Sequence, residues 1–163
     1  MVDYKKQGKK NRASGKAFEL KVRKDLESKG WIVSKWANNI EFTNEGDCVK
    51  EGGKVVHEYW NGRMIPAKGQ YNPFFKRIVG EGSGFPDFIA FYQPGQHPIV
   101  VKGQGDVYLY DIVGYECKIN GYLDKIEKEK CKWLIENKVF NRILIASKGK
   151  KRGEIIYSDF KNQ

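Results

Sequence analysis

Two strand-like runs that carry charge where a buried strand has little use for it constrain this chain more than any other feature. The first is Gly84-Phe85-Pro86-Asp87-Phe88-Ile89-Ala90-Phe91, and the second is Tyr110-Asp111-Ile112-Val113-Gly114-Tyr115-Glu116-Cys117-Lys118. Aromatic and β-branched residues fill both, and a loop containing Pro94-Gly95-Gln96-His97 separates them. Period-2 alternation places Glu116 and Lys118 on one face of the second strand and Asp111 on the other. With Asp87 opening the first strand, two carboxylates and an ammonium are expected together at the end of a sheet. Such a set suits a divalent cation and a phosphate. Hard cations take oxygen ligands, and the lysine can meet developing charge or hold a water for attack. Cys117, between the two charged residues, faces away and is expected to pack.

Composition narrows what such a site would meet. Thirty Lys plus Arg against twenty Asp plus Glu give a formal net charge of +10 over 163 residues. A surplus of that size fits a polyanionic partner, because each neutralised phosphate releases condensed counterions. Solubility alone would explain the same charge, so it is the meeting of charge and constellation that points to nucleic acid. With 40% of its residues hydrophobic and 13% aromatic, the chain can build one core. No apolar run is long enough to span a membrane and no apolar signal region follows the N-terminus, so a cytoplasmic protein without a membrane partner is expected. Cys48, Cys117 and Cys131 are odd in number and lack metal spacing, which fits reduced thiols. His57 and His97 are too few for a zinc site.

Along the chain, residues 1–13 read as a flexible basic arm, with Lys5, Lys6, Lys9, Lys10 and Arg12 as phosphate contacts or as a solubilising tail. Residues 14–163 read as a single domain. A helix is expected from Ser14, as N-cap, to Lys29, with Gly30 as its stop. Its stripe is Phe18, Val22 and Leu26, and Glu19 falls on the edge of that stripe. Residues 31–36 read as a strand. Residues 41–79 read as an insertion holding a β-hairpin turned at Asn61-Gly62, the strongest short hairpin signal available. Tyr71 to Arg77 interleave aromatics with bases, as a nucleic-acid surface would, although packing is the preferred role for Tyr59, Trp60 and Phe74. In the glycine-rich loop before Asp87, Ser83 allows close approach to a phosphate or simple flexibility, and Glu81 is a reserve ligand. A second helix is expected over 123–137 with Leu123, Ile126, Trp133 and Leu134 as its stripe. Lys130 projects from that stripe, either snorkelling outward or reaching the sheet end. Residues 142–147 and 154–157 read as strands joined by a basic turn.

Pro86-Asp87, a gap, then Glu116-Cys117-Lys118, preceded by Gly15 and Glu19 four residues apart on a helix, resembles the signature of the PD-(D/E)XK nuclease superfamily. The chain is most similar to the archaeal Holliday-junction resolvase branch, as an archaeal or viral relative, over roughly residues 12–40 and 80–147. The resemblance implies an α/β, restriction-endonuclease-like core: a central mixed sheet flanked by helices, here with the hairpin inserted. It also implies a metal-dependent DNA endonuclease acting on branched DNA as a homodimer. Asp87, Glu116 and Glu19 would hold Mg²⁺ or Mn²⁺, and Lys118 would complete the catalytic set. Ser83 matches a serine of the resolvases, and Lys130 matches a polar residue that reaches the site in several branches. The rival from another class is a basic nucleic-acid-binding module in which Asp87, Glu116 and Lys118 form a structural ion pair. An inert α/β domain is the third alternative.

Overall fold

The first helix starts well before the sequence suggests. In the computed structural model, which describes residues 4–42, 48–51, 54–58, 62–72, 74, 76–79, 84–92, 99–101, 105–107 and 110–162, α1 spans Tyr4–Ser28. Residues 4–13, expected as an arm, are its first turns, and Ser14 is an interior residue rather than an N-cap. Lys, Gln, Arg and Ala are good helix formers, and propagation from a docked stripe needs no new nucleus. Phe18, Val22 and Leu26, on that stripe, are each at most 2% exposed. Burial of side chains of this size contributes roughly 1.5–3 kcal/mol each. Gly30 ends the helix with a left-handed φ of 84°.

The remaining elements in chain order are β1 (Ile32–Lys35), β2 (Asn38–Phe42), β3 (Cys48–Glu51), β4 (Lys54–Glu58), β5 (Gly62–Pro66), β6 (Gln70–Asn72), β7 (Arg77–Val79), β8 (Phe88–Tyr92), β9 (Ile99–Val101), β10 (Gly105–Val107), β11 (Asp111–Cys117), α2 (Lys125–Glu136), β12 (Arg142–Lys148) and β13 (Ile155–Asp159). A 3-10 turn, Phe160–Asn162, follows. The fold is α/β, built on a mixed five-stranded sheet of order β1-β8-β11-β12-β13. Its strands pair antiparallel except β11 and β12, which α2 joins as a parallel crossover.

Alternation along the strands divides the core between the two faces. Val113, Tyr115 and Ala146 pack with Phe88, Ala90 and the α1 stripe. Ile143 and Ile145 pack with Leu123, Cys131 and Leu134 on the α2 side, together with Ile40, Phe85 and Phe140. The inward stripe of α2 therefore runs through Cys131 and Leu134, while Ile126, expected on it, is 56% exposed. At roughly 100° per residue Ile126 falls well off the line through Cys131 and Leu134, so docking through those two turns it outward.

Residues 41–79 hold the largest departure from expectation. Asn61-Gly62 does not join two paired strands: β5 pairs with β2, from Asn38↔Pro66 to Phe42↔Gly62, and β4 pairs with β3, with Glu51 opposite Lys54. The hairpin is thus the β3–β4 pair, and the β2–β5 pair flanks it. β2, the partner of β5, begins at Asn38, ahead of the 41–79 stretch. β6 and β7 make a further short pair, as do β9 and β10 between the two charged strands. Phe74, expected to pack, is 86% exposed. Tyr59 and Trp60 offer no comparison, since they lie outside the described residues.

Candidate active site

Asp87 stands immediately before β8, Glu116 near the end of β11, and Lys118 just past it. Because β8 and β11 are antiparallel, with Tyr115 opposite Phe88, the start of one strand meets the end of the other. Two cross-strand bonds tie this junction. The Asp87 N–H donates to Glu116 Oε2 at 3.2 Å, and the Cys117 N–H donates to Asp87 Oδ2 at 2.9 Å. Each carboxylate is thereby held by the backbone of the other strand.

Glu116 is the one buried charged residue among those described, at 6% exposure. Burial pushes its carboxyl up to about 8, with the neighbouring Asp87 charge adding to the effect. Burial likewise pushes Asp87 up to about 6, against the opposing Cys117 N–H and with help from the Glu19 charge. Two carboxyls are thus kept side by side where neither ionises easily. A cation between them would relieve that conflict.

Lys118 lies 3.3 Å from Glu116 Oε1 and makes a short ion pair with Glu127 of α2. Burial works against its charge, yet the bonds to Glu127 and Glu116 outweigh it and hold its pKa above the ordinary lysine range. Glu127 escaped the sequence reading as a site residue. Its only visible signal was Asp124-x-x-Glu127, which forms a capping box: the Glu127 N–H donates to Asp124 Oδ1 at 2.8 Å and the Asp124 N–H donates to Glu127 Oε2 at 3.0 Å. One carboxylate therefore both starts α2 and aims Lys118.

Glu19 of α1 accepts a 3.0 Å bond from Lys35 at the end of β1, not from a helix neighbour such as Lys16 or Arg23. Arg23 instead pairs with Glu27. Burial opposes the Lys35 charge, but Glu19 and then Asp87 raise its pKa overall. Lys35 also escaped the sequence reading, since a lysine at the end of a strand carries no signal of its own.

Lys130 does project inward, but its ammonium donates to Asn39 Oδ1 at 2.7 Å and sits 5.4 Å from the centre of the Phe85 ring. It thus binds the start of β2 instead of joining the two carboxylates. Lys6, Lys9, Lys10 and Arg12 are exposed on α1, and Lys5 lies on its first turn. Ser83 and Glu81 lie outside the described residues. Asp111, set aside in the sequence, pairs with Arg142 at 2.8 Å at the opposite end of β11. Burial pushes the Cys117 and Cys131 thiols upward, so neither is a ready nucleophile.

Among the described residues, no three His, Cys, Asp or Glu side chains converge as a ready-made metal cage. The donor set nonetheless fits a hard cation. Mg²⁺ is commonly held by one or two carboxylates, with water and substrate phosphate completing its shell. Asp87 and Glu116 supply those two, and Glu19 stands close enough for its charge to reach Asp87.

Searches against protein-family models, curated proteins and solved structures find no significant match for this chain.

Proposed function

We propose that this protein is a metal-dependent endonuclease that hydrolyses DNA phosphodiester bonds on a restriction-endonuclease-like core of the PD-(D/E)XK type. The observation that carries the reading is the junction of β8 and β11, where Asp87 and Glu116 are backbone-linked beside the Lys118 ammonium. The order of elements supports it: an antiparallel β1-β8-β11 unit, then α2 crossing to a parallel β12. The net charge of +10 supports a polyanionic substrate.

In this reading Asp87 and Glu116 hold Mg²⁺ or Mn²⁺, and Glu19 joins them once it releases Lys35. The bound cation supplies Lewis-acid polarisation of the phosphate and acidifies a water. Lys118 meets the charge that develops on the phosphate oxygens or orients the attacking water. Glu127 is a positioning residue, fixing where the ammonium points. The preferred substrate is branched DNA such as a four-way junction, met by a homodimer because its two-fold symmetry matches that of the substrate.

A second reading has its own observation. Lys118 already sits between Glu116 and Glu127, and both central carboxylates already accept backbone N–H groups. A basic nucleic-acid-binding module with this cluster as an internal brace accounts for those bonds equally well. It expects tight binding and no cutting.

The deciding experiment offers labelled four-way junction, flap, duplex and single strand with Mg²⁺, Mn²⁺ or EDTA. Asp87→Asn and Glu116→Gln run beside the native protein. The nuclease reading expects metal-dependent cutting that falls at least about a hundredfold in both variants while binding persists. Binding without cutting on every substrate and metal selects the second reading.

A further inference from the structure

A basic loop lies next to the carboxylate cluster, at the same end of the sheet. The Ala146 carbonyl of β12 accepts the Lys118 N–H at 2.9 Å, and the Lys148 N–H donates to the Ile119 carbonyl at 3.2 Å. Beyond Lys148 the chain turns into β13, and that turn is closed from within. The Gly149 N–H donates to the Glu154 carbonyl at 3.0 Å, and the Glu154 N–H to the Lys151 carbonyl at 3.1 Å. The Lys151 N–H in turn donates to Glu154 Oε2 at 3.1 Å. The one acid of the loop is thus spent on the loop's own backbone.

Lys148, Lys150, Lys151 and Arg152 are left exposed, and none of them takes part in an ion pair among the described residues. Together with Phe18 and Lys21 of α1, they line a cavity of about 380 Å³. Phe18 immediately precedes Glu19. The loop wall of the cavity is bonded, through the Lys148 N–H, to the residue after Lys118.

We propose that this cavity seats the sugar-phosphate backbone of a nucleic acid, flanking the phosphate presented to Asp87 and Glu116. The proposal rests on the polynucleotide partner argued above and is independent of cleavage. Cations splayed along an open loop suit a chain of phosphates, each released counterion adding to affinity, better than they suit a single enclosed anion.

The test measures binding of labelled duplex and four-way junction by fluorescence anisotropy in EDTA across a salt series. Lys150→Ala/Arg152→Ala is compared with the charge-matched pair Lys132→Ala/Lys138→Ala on and after α2. The loop variant should lose about two units of the slope of log K against log salt, on every sequence alike. Its melting temperature should match that of the native protein, and the control pair should keep the native slope. Equal affinity and slope for both variants, with the native protein binding well, would overturn this proposal alone. A native protein that binds no DNA even at low salt would overturn it together with the polynucleotide partner. Displacement of the DNA by an equal phosphate concentration of tripolyphosphate would reassign the cavity to small phosphate ligands.

Discussion

Glu116 and Asp87 are ionisable groups placed where ionisation is disfavoured, and this sets a pH dependence. Their carboxyls, pushed up to about 8 and about 6, keep protons that the unfolded chain, with ordinary carboxylates, has already released. Between the unfolded values and the folded ones the native state binds more protons, so its stability falls as pH rises through that window. Without divalent cation the melting temperature should therefore drop between pH 5 and pH 9. Glu116→Gln should flatten most of that slope. Mg²⁺ at millimolar concentration should raise the melting temperature at pH 8.5 and do little at pH 5, because only the ionised pair binds it. A thermal melt series with and without EDTA checks all of this, and an identical slope in native protein and variant would refute the burial argument. At this scale the residues Asp87, Glu116 and Lys118 were legible from strand alternation. Glu127 was legible only as a cap, because its second role depends on how α2 docks against Lys118 nine positions earlier in the chain.

Among the elements, α1 does two jobs with different parts of its length. The turns carrying Phe18, Val22 and Leu26 bury an apolar stripe, whereas the turns before them extend as an exposed basic helix. Gly15 lies between these parts, one turn before Glu19, and nothing stands within 4 Å of where its Cβ would be. Packing therefore gives no reason for a glycine, and in a helix interior it costs about 0.5–1 kcal/mol relative to alanine. Gly15→Ala should raise the melting temperature by about 2–4 °C. If a DNA backbone passes over this turn, the same substitution should also slow cleavage; a lowered melting temperature would show that the helix needs glycine for itself. Elements with strong local signals, the α1 stripe and the β1, β8, β11 and β12 strands, were legible. The extension of α1 was not, since its residues lack apolar periodicity and the helix there continues a turn already nucleated. The hairpin was misplaced because an Asn-Gly signal is local, while pairing of β5 with β2 is decided by strands some twenty residues apart.

For the molecule as a whole, the segment leading into β8 meets the link between β1 and β2 at Gly84. A Cβ there would lie 2.0 Å from the Trp36 carbonyl oxygen and 2.6 Å from that of Asn38. The Phe85 N–H donates to that same Asn38 carbonyl at 2.9 Å, and the Trp36 N–H donates to the Asp87 carbonyl at 3.2 Å. Backbone meets backbone here, so no side chain can give way. Gly84→Ala should cost at least about 2 kcal/mol, read by urea titration, and should weaken Mg²⁺ binding by shifting Asp87. Unchanged stability would show that the two segments separate freely. The sequence by itself determined that an α/β sheet would carry two carboxylates and a lysine at one strand junction, because alternation and spacing are properties of neighbouring residues. Only the tertiary structure decided which partners close on them. Glu127 and Lys35 come from separate elements, and a helix rotation and a strand register had to be set before their charges could meet the site.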